Sequence, residues 1–301
     1  MKFTLVPFLV CILFSGCDKN EELQVIGDES NVTGTGTFTF TDYAPFADKP
    51  IQVDYHIPEN SSSVSPILFV FHGSDRNGAT ARNAFISKAN ELGFIVVAPS
   101  FTETYFEGGD GYNLGNIFED GDNPSEISLN LQEEWTFSVI DPVFDYIKAL
   151  TGNASATYDV FGFSAGAQIA HRFLIFDSGA KINRMVAASA GWYTVPDNTI
   201  VFPYGLEASP GETADLAPLF SANLTVLIGT NDNDPNAQGL RHNEFADAQG
   251  LNRFDRAQHF YNEGFNSAAA QNLPFAWQYV SVQNVAHDQN VLAAVAADIL
   301  Y

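Results

Sequence analysis

The chain has 301 residues, 46% of them hydrophobic, with mean hydropathy near zero; that is enough for a large α/β core and excludes a disordered chain. Its 13 Lys and Arg stand against 36 Asp and Glu, a formal charge of −23, with no basic run. Such a surface repels nucleic acid and anionic lipid and disfavours polyanionic substrates.

In chain order, Lys2 precedes an apolar stretch from Phe3 to Leu13. That pattern is a signal segment, too short to span a membrane. It ends in Phe14-Ser15-Gly16-Cys17, which resembles a bacterial lipoprotein cleavage box with Phe14 in place of the usual leucine. The resemblance implies a signal peptide over 1–16, a lipidated Cys17 and attachment to a bacterial cell-envelope membrane, periplasmic or at the cell surface. The alternative is an ordinary secretory signal. The two cysteines are Cys11 and Cys17, so the mature domain would have no disulfide. Residues 17–34, acidic and polar, are expected to form a flexible tether. Residues 35–301 are expected to form one catalytic domain.

Thr37–Thr41 and Ile51–Tyr55 alternate as half-buried strands that could pair antiparallel. Ile67–Phe71 and Phe94–Ala98 are continuous apolar runs, as buried strands are. Between them, Ala79–Leu92 reads as one helix ended by Gly93. Residues 100–130 are rich in Gly, Asp, Asn and Tyr without periodicity, a long loop. A helical pattern interrupted by Pro142 runs from Leu131 to Leu150. Further strands are expected at Tyr158–Phe161, Met185–Ser189, Asn223–Ile228 and Ala276–Val282, with helices at Ala165–Phe176 and Asp288–Leu300. Residues 192–218 form a second loop insertion. Strands alternating with helices predict an α/β fold: a mostly parallel sheet with helices on both faces and antiparallel strands at its start. Ligands then bind at the carboxyl ends of the strands.

The chemistry concentrates at those ends. Gly162-Phe163-Ser164-Ala165-Gly166 lies between a strand and a helix, where a sharp turn needs small residues on both sides of an exposed serine nucleophile. Serine needs a base, and the base a carboxylate. Asp232 follows the Asn223–Ile228 strand with Gly-x-x-Asp spacing, and Asp234 is the fallback acid. His287 follows the last strand and is the expected base. Of the other histidines, His56 reads as structural, His72 as a loop support and His171 as packing, while His242 and His259 lie in a polar, Arg-containing stretch. Ser74, with Gly73 as fallback, follows the strand ending at Phe71. Its N–H and that of Ala165 at a helix N-terminus are the candidate oxyanion donors. No spacing for a metal, nucleotide or dinucleotide appears, and no cofactor is expected. The acidic stretch Glu119–Asn123 lacks EF-hand spacing.

These residues resemble the α/β-hydrolase superfamily. Gly162–Gln168 with Phe71-His72-Gly73 is most similar to its polyhydroxybutyrate depolymerase and feruloyl-esterase-like branch. The resemblance implies a serine hydrolase acting on carboxylic esters through Ser164, Asp232 and His287 and an acyl-enzyme. The acidic surface points to neutral ester substrates, small or polymeric. Two other readings are a peptidase of the prolyl-oligopeptidase type and a catalytically silent, surface-anchored binding protein. The aromatics of the two loops, Phe101, Tyr105, Phe106, Tyr112, Phe118, Trp192, Tyr193, Phe202 and Tyr204, could line a pocket or merely pack the loops.

Overall fold

In the computed structural model, residues 32–301 are described; the signal segment, Cys17 and most of the expected tether lie outside them. Eight strands form one sheet in the order β1-β2-β4-β3-β5-β6-β7-β8. The strands are β1 (Gly34–Phe40), β2 (Ile51–Ile57), β3 (Ile67–Phe71), β4 (Ile95–Ser100), β5 (Tyr158–Phe163), β6 (Ile182–Ala188), β7 (Asn223–Gly229) and β8 (Gln278–Val282). The pairs β1–β2 and β2–β4 are antiparallel and all others are parallel, as the alternating and continuous apolar patterns predict. β1 begins at Gly34, slightly earlier than the strand read from the sequence.

Burial follows the same logic. β1 alternates between its two faces, whereas every residue of β3, β4 and β5 is buried. One apolar cluster, with Phe69, Phe71 and Phe173, packs on one face, and a second, with Phe85, Phe161 and Leu292, on the other. Each fully buried large side chain contributes roughly 1.5–3 kcal/mol.

The helices depart from expectation in three places. The segment 79–92 is two helices, α1 (Gly78–Asn83) and α2 (Ile86–Leu92). The chain bends where Phe85 turns its buried ring onto Phe161, centroids 4.9 Å apart. Gly93 ends α2 at φ 79°, as expected for a left-handed cap. The 131–139 stretch forms short 3-10 turns, and α3 (Ile140–Thr151) starts with Pro142 in its first turn, where proline is tolerated. Finally, the region between β7 and β8, where no helix was read from the sequence, contains two. After α4 (Ala165–Phe176) and the short α5 (Ala217–Ser221), it carries α6 (Glu244–Ala248) and the 18-residue α7 (Arg253–Ala270). α8 (Gln289–Leu300) closes the chain.

Candidate active site

Ser164 stands at the tip between β5 and α4 with φ 57° and ψ −114°. A non-glycine residue held there stores roughly 1–3 kcal/mol of backbone strain, which surrounding structure must enforce. The two glycines of the motif supply the space. A Cβ on Gly162 would collide with the backbone of Gly166, and one on Gly166 with the carbonyl of Phe71. The strand, the turn and the helix therefore touch backbone to backbone. The Ser164 N–H is tied to Ala188 O on β6 at 3.0 Å.

The expected acid and base, Asp232 and His287, follow adjacent strands whose ends are laced together. Thr230 N–H donates to Val282 O at 2.9 Å, and Asn231 N–H to Val285 O at 2.8 Å. Gly229 permits that approach, since a Cβ there would strike the Val285 carbonyl. The result is a 2.7 Å hydrogen bond between His287 Nδ1 and Asp232 Oδ2. Asp232 is 5% exposed, whereas the His287 side chain is 30% exposed. The His287 ring lies 4.5 Å from the ring of Phe163, the residue before the serine. No direct hydrogen bond joins Ser164 to His287 among the described residues. Asp234 turns away: its carboxylate accepts the N–H of Asn236 at 2.8 Å and is exposed.

Gly73 lies against the serine, for a Cβ on it would sit 4.0 Å from Ser164 Cβ. The turn it opens is closed by Arg76 N–H donating to Gly73 O at 3.2 Å. The Arg76 guanidinium is locked onto the carbonyls of Phe101, Phe106 and Gly108. Neither the Ser74 nor the Ala165 N–H donates to a protein acceptor among the described residues. The Ala165 amide follows Ser164 directly, at the N-terminus of α4, and Ser74 follows Gly73 in the chain.

His72 supports that turn from beneath. Its Nε2 accepts the Phe101 N–H at 3.0 Å, so its Nδ1 carries the proton that goes to Gly73 O. Burial lowers its pKa to about 4, which keeps the ring neutral. His171, fully buried, similarly accepts the Thr194 N–H and donates to Ala167 O. His56 bridges Thr35 and Asn90. His242 binds Asp247 and the Pro235 carbonyl, tying together the chain after the acid. Phe101, Phe106, Tyr112, Phe118, Trp192, Tyr193, Phe202 and Tyr204 are all buried, so packing accounts for them; Tyr105 is exposed. A depression of about 430 Å³ bounded by Tyr43, Ser138, Asp141 and Asp177 contains none of the predicted catalytic residues.

One residue of the site was not read from the sequence. Arg253, the first residue of α7, points a guanidinium nitrogen at Asp232 Oδ1, 3.5 Å away. The available signal was Asn252, whose side chain caps α7 by accepting the Asp255 N–H.

No protein-family model and no curated protein sequence matches the chain. Solved structures do. The chain is 37% identical to poly(aspartic acid) hydrolase-1 from Sphingomonas sp. KT-1, over 89% of this chain and 98% of that one, with a TM-score of 0.83. It is 30% identical to LpqC, a poly(3-hydroxybutyrate) depolymerase from Bordetella parapertussis, over 90% of each chain, also at 0.83. An S-formylglutathione hydrolase from Agrobacterium tumefaciens shares the fold at 12% identity, over 88% and 92% of the two chains, with a TM-score of 0.54. With the serine elbow on a mostly parallel eight-stranded sheet, the likeness to the first two places this chain in the α/β-hydrolase superfamily.

Proposed function

We propose that this hydrolase cleaves neutral carboxylic esters with Ser164 as nucleophile, His287 as general base and acid, and Asp232 as the carboxylate orienting the imidazole. The observation that carries the reading is the Asp232–His287 hydrogen bond of 2.7 Å, at the same carboxyl end of the parallel strands as the half-buried Ser164. With Nδ1 held by Asp232, Nε2 is the ring nitrogen left to take a proton.

In the first half-reaction Ser164 Oγ bonds to the ester carbonyl carbon while its proton passes to His287 Nε2. The carbonyl oxygen becomes an oxyanion that accepts hydrogen bonds from the Ser74 and Ala165 N–H groups. Collapse breaks the bond to the leaving alkoxide, which takes the proton from His287, and leaves an acyl-serine. Water, deprotonated by His287, then attacks the acyl-serine, and the proton returns to Ser164 as the acid departs. The serine–histidine hydrogen bond absent here is one that commonly tightens only when substrate arrives.

A second reading is amide hydrolysis. It is favoured by the 37% identity to a poly(aspartic acid) hydrolase, whose polymer is joined by amide bonds. Against an acidic polymer stands the net charge of −23. Hydrolysis of p-nitrophenyl acetate, butyrate and octanoate, a peptide p-nitroanilide and poly(aspartic acid), with a Ser164→Ala control, tests both. Ester turnover abolished by S164A supports the first reading. Serine-dependent anilide or poly(aspartic acid) cleavage without ester cleavage supports the second. A protein that turns over nothing and fails to react with a fluorophosphonate is the silent binding protein.

We further propose that the chain is exported and held on a cell-envelope membrane by lipid on Cys17, after the lipoprotein-like Ser15-Gly16-Cys17 box. No helix of the described residues is long and apolar enough to cross a membrane. Detergent partitioning of the native chain against Cys17→Ala tests it.

A further inference from the structure

We infer that Arg253 is a positioning residue for the Asp232–His287 pair: its guanidinium fixes the carboxylate and its charge keeps the imidazole in the proton-free form that accepts from Ser164. The inference rests on the serine-hydrolase reading above.

The two oxygens of Asp232 are divided between two partners. Oδ2 faces His287 Nδ1 at 2.7 Å, and Oδ1 faces Arg253 at 3.5 Å. The peptide chain reinforces this, since the Phe254 N–H donates to Asp232 O at 3.0 Å. α7 therefore starts on the acid, with its first side chain turned to the carboxylate.

Other buried arginines of the molecule behave differently. Arg256 spreads its N–H groups over the carbonyls of Gly250, Gly191 and Arg241 and onto Asp247. Arg172 binds the carbonyls of Asn113 and Gln168 and the Thr194 hydroxyl. Those are clamps that hold loops. Arg253 is also buried, 6% exposed against 0% for those two, yet its Nε has no acceptor and Asp232 is its one ion-pair partner among the described residues. Burying a guanidinium is costly unless it is well paired. A clamp would use its donors; this arginine leaves one idle and keeps its charge beside the triad acid.

That charge acts on the base. A cation on the far side of Asp232 opposes a second positive charge on the His287 ring. The other groups around the pair are few. Tyr193, buried after β6, is close enough to feel Asp232 and Arg253. Arg256 lies further along α7 and adds to the positive side. Asp288 is committed to capping α8 through the N–H groups of Asn290 and Val291. Asp75, exposed, lies beside Gly73 at the oxyanion turn. Losing the Arg253 charge therefore lets protons inactivate the base at higher pH. For one charge acting across a buried carboxylate, the acid limb should move up by about 0.5–1 pH unit.

The test is the pH profile of kcat/KM for p-nitrophenyl butyrate on the full chain, with folding checked by circular dichroism. Arg253→Gln removes the charge. Arg253→Met removes it while filling the space with apolar atoms, and leaves Asp232 its hydrogen bond to His287. Arg253→Lys restores it. Arg184→Gln, which breaks the ion pair with Asp159 elsewhere in the sheet, is the control for plain destabilisation. Support is an acid limb raised by about 0.5–1 unit in R253Q and R253M, and within about 0.2 unit of the native protein in R253K and R184Q. A folded R253Q or R253M whose limb stays in place overturns the inference, whatever happens to the overall rate. So does an R253K that shifts as far as R253Q. If S164A retains turnover, the serine-hydrolase reading falls and carries this inference with it. If S164A is inactive and the limb does not move, only the role of Arg253 falls.

Discussion

Asp232 and Asp234 lie two residues apart and do different work: Asp232 accepts from His287 at 2.7 Å, while Asp234 accepts a backbone N–H of its own turn at 2.8 Å. The difference comes from the path of the chain. Asp232 N–H bonds back to Gly229 O at 3.1 Å and its side chain is buried, whereas Asp234, two residues on, is exposed. Asp232→Asn should lower kcat by about 10⁴, because the amide favours the wrong imidazole tautomer. Asp234→Asn keeps an acceptor for the turn and should leave kcat within about threefold, in keeping with a surface substitution. Steady-state kinetics of the two variants decide the assignment; equal losses would overturn it.

The elbow glycines make a second, structural prediction. A Cβ on Gly166 would meet the backbone carbonyls of Phe71 and His72, neither of which can rotate aside. Gly166→Ala should therefore cost about 3 kcal/mol or more, at the upper end of overpacking changes. Gly179→Ala, in an exposed turn where a Cβ would find ordinary contact, should change stability by less than about 0.5 kcal/mol. Urea unfolding midpoints compare them directly. A G166A protein as stable as the native one would mean that strand and helix are not in backbone contact.

Much of this was legible in the chain because its signals are local. Ile67–Phe71 and Tyr158–Phe161 read as central strands from their unbroken apolar character, and all of them are buried. Gly162-x-Ser164-x-Gly166 carries its own geometry in five residues. What was missed depends on contacts distant in sequence. α7 is mixed in polarity, and only the spacing of Ala257, Phe260, Gly264 and Ala268 marks its buried face. Gly264 there makes room for the Trp277 ring, a fit invisible before the sheet is assembled. Arg253 meets Asp232 only because α7 docks beside β7. The Phe85 ring, at the break between α1 and α2, likewise packs on Phe161, far along the chain.

The buried histidines predict how stability responds to acid. Burial lowers His72 to about 4, and burial with the nearby Arg172 holds His171 well below its ordinary value. In the unfolded chain both would bind protons near pH 6.5. The unfolded state thus carries more protons between those limits, so their contribution is complete above about 6.5 and is lost as pH falls toward 4. The loss approaches about 1.4 kcal/mol per pH unit for each histidine. Urea midpoints at pH 7.5, 6.5 and 5.5, above the range where most carboxylates titrate, should fall little between the first two and clearly between the last two. His72→Asn, whose amide can still accept from Phe101 and donate to Gly73, should reduce the slope. A native midpoint that is flat from pH 7.5 to 5.5 would contradict neutral burial.

Arg172 tests how the second loop insertion is held. It is fully buried, and burial lowers its pKa to about 9. No carboxylate pairs with it among the described residues; it donates to Asn113 O at 2.8 Å, Gln168 O at 3.1 Å and Thr194 Oγ1 at 2.9 Å. Its guanidinium also lies 4.4 Å from the centre of the Trp192 ring. One side chain on α4 therefore joins the loop near Asn113 to the loop after β6. Arg172→Met would leave these acceptors buried without donors, at about 1–3 kcal/mol each before relaxation. A loss of about 3 kcal/mol or more is expected. Arg172→Lys keeps a charge but cannot span the same acceptors, and should recover only part of it. Urea unfolding measures the cost, and Trp192 emission should shift to the red as the loop loosens. An R172M protein within about 0.5 kcal/mol of the native one would mean that the loops hold themselves without this clamp.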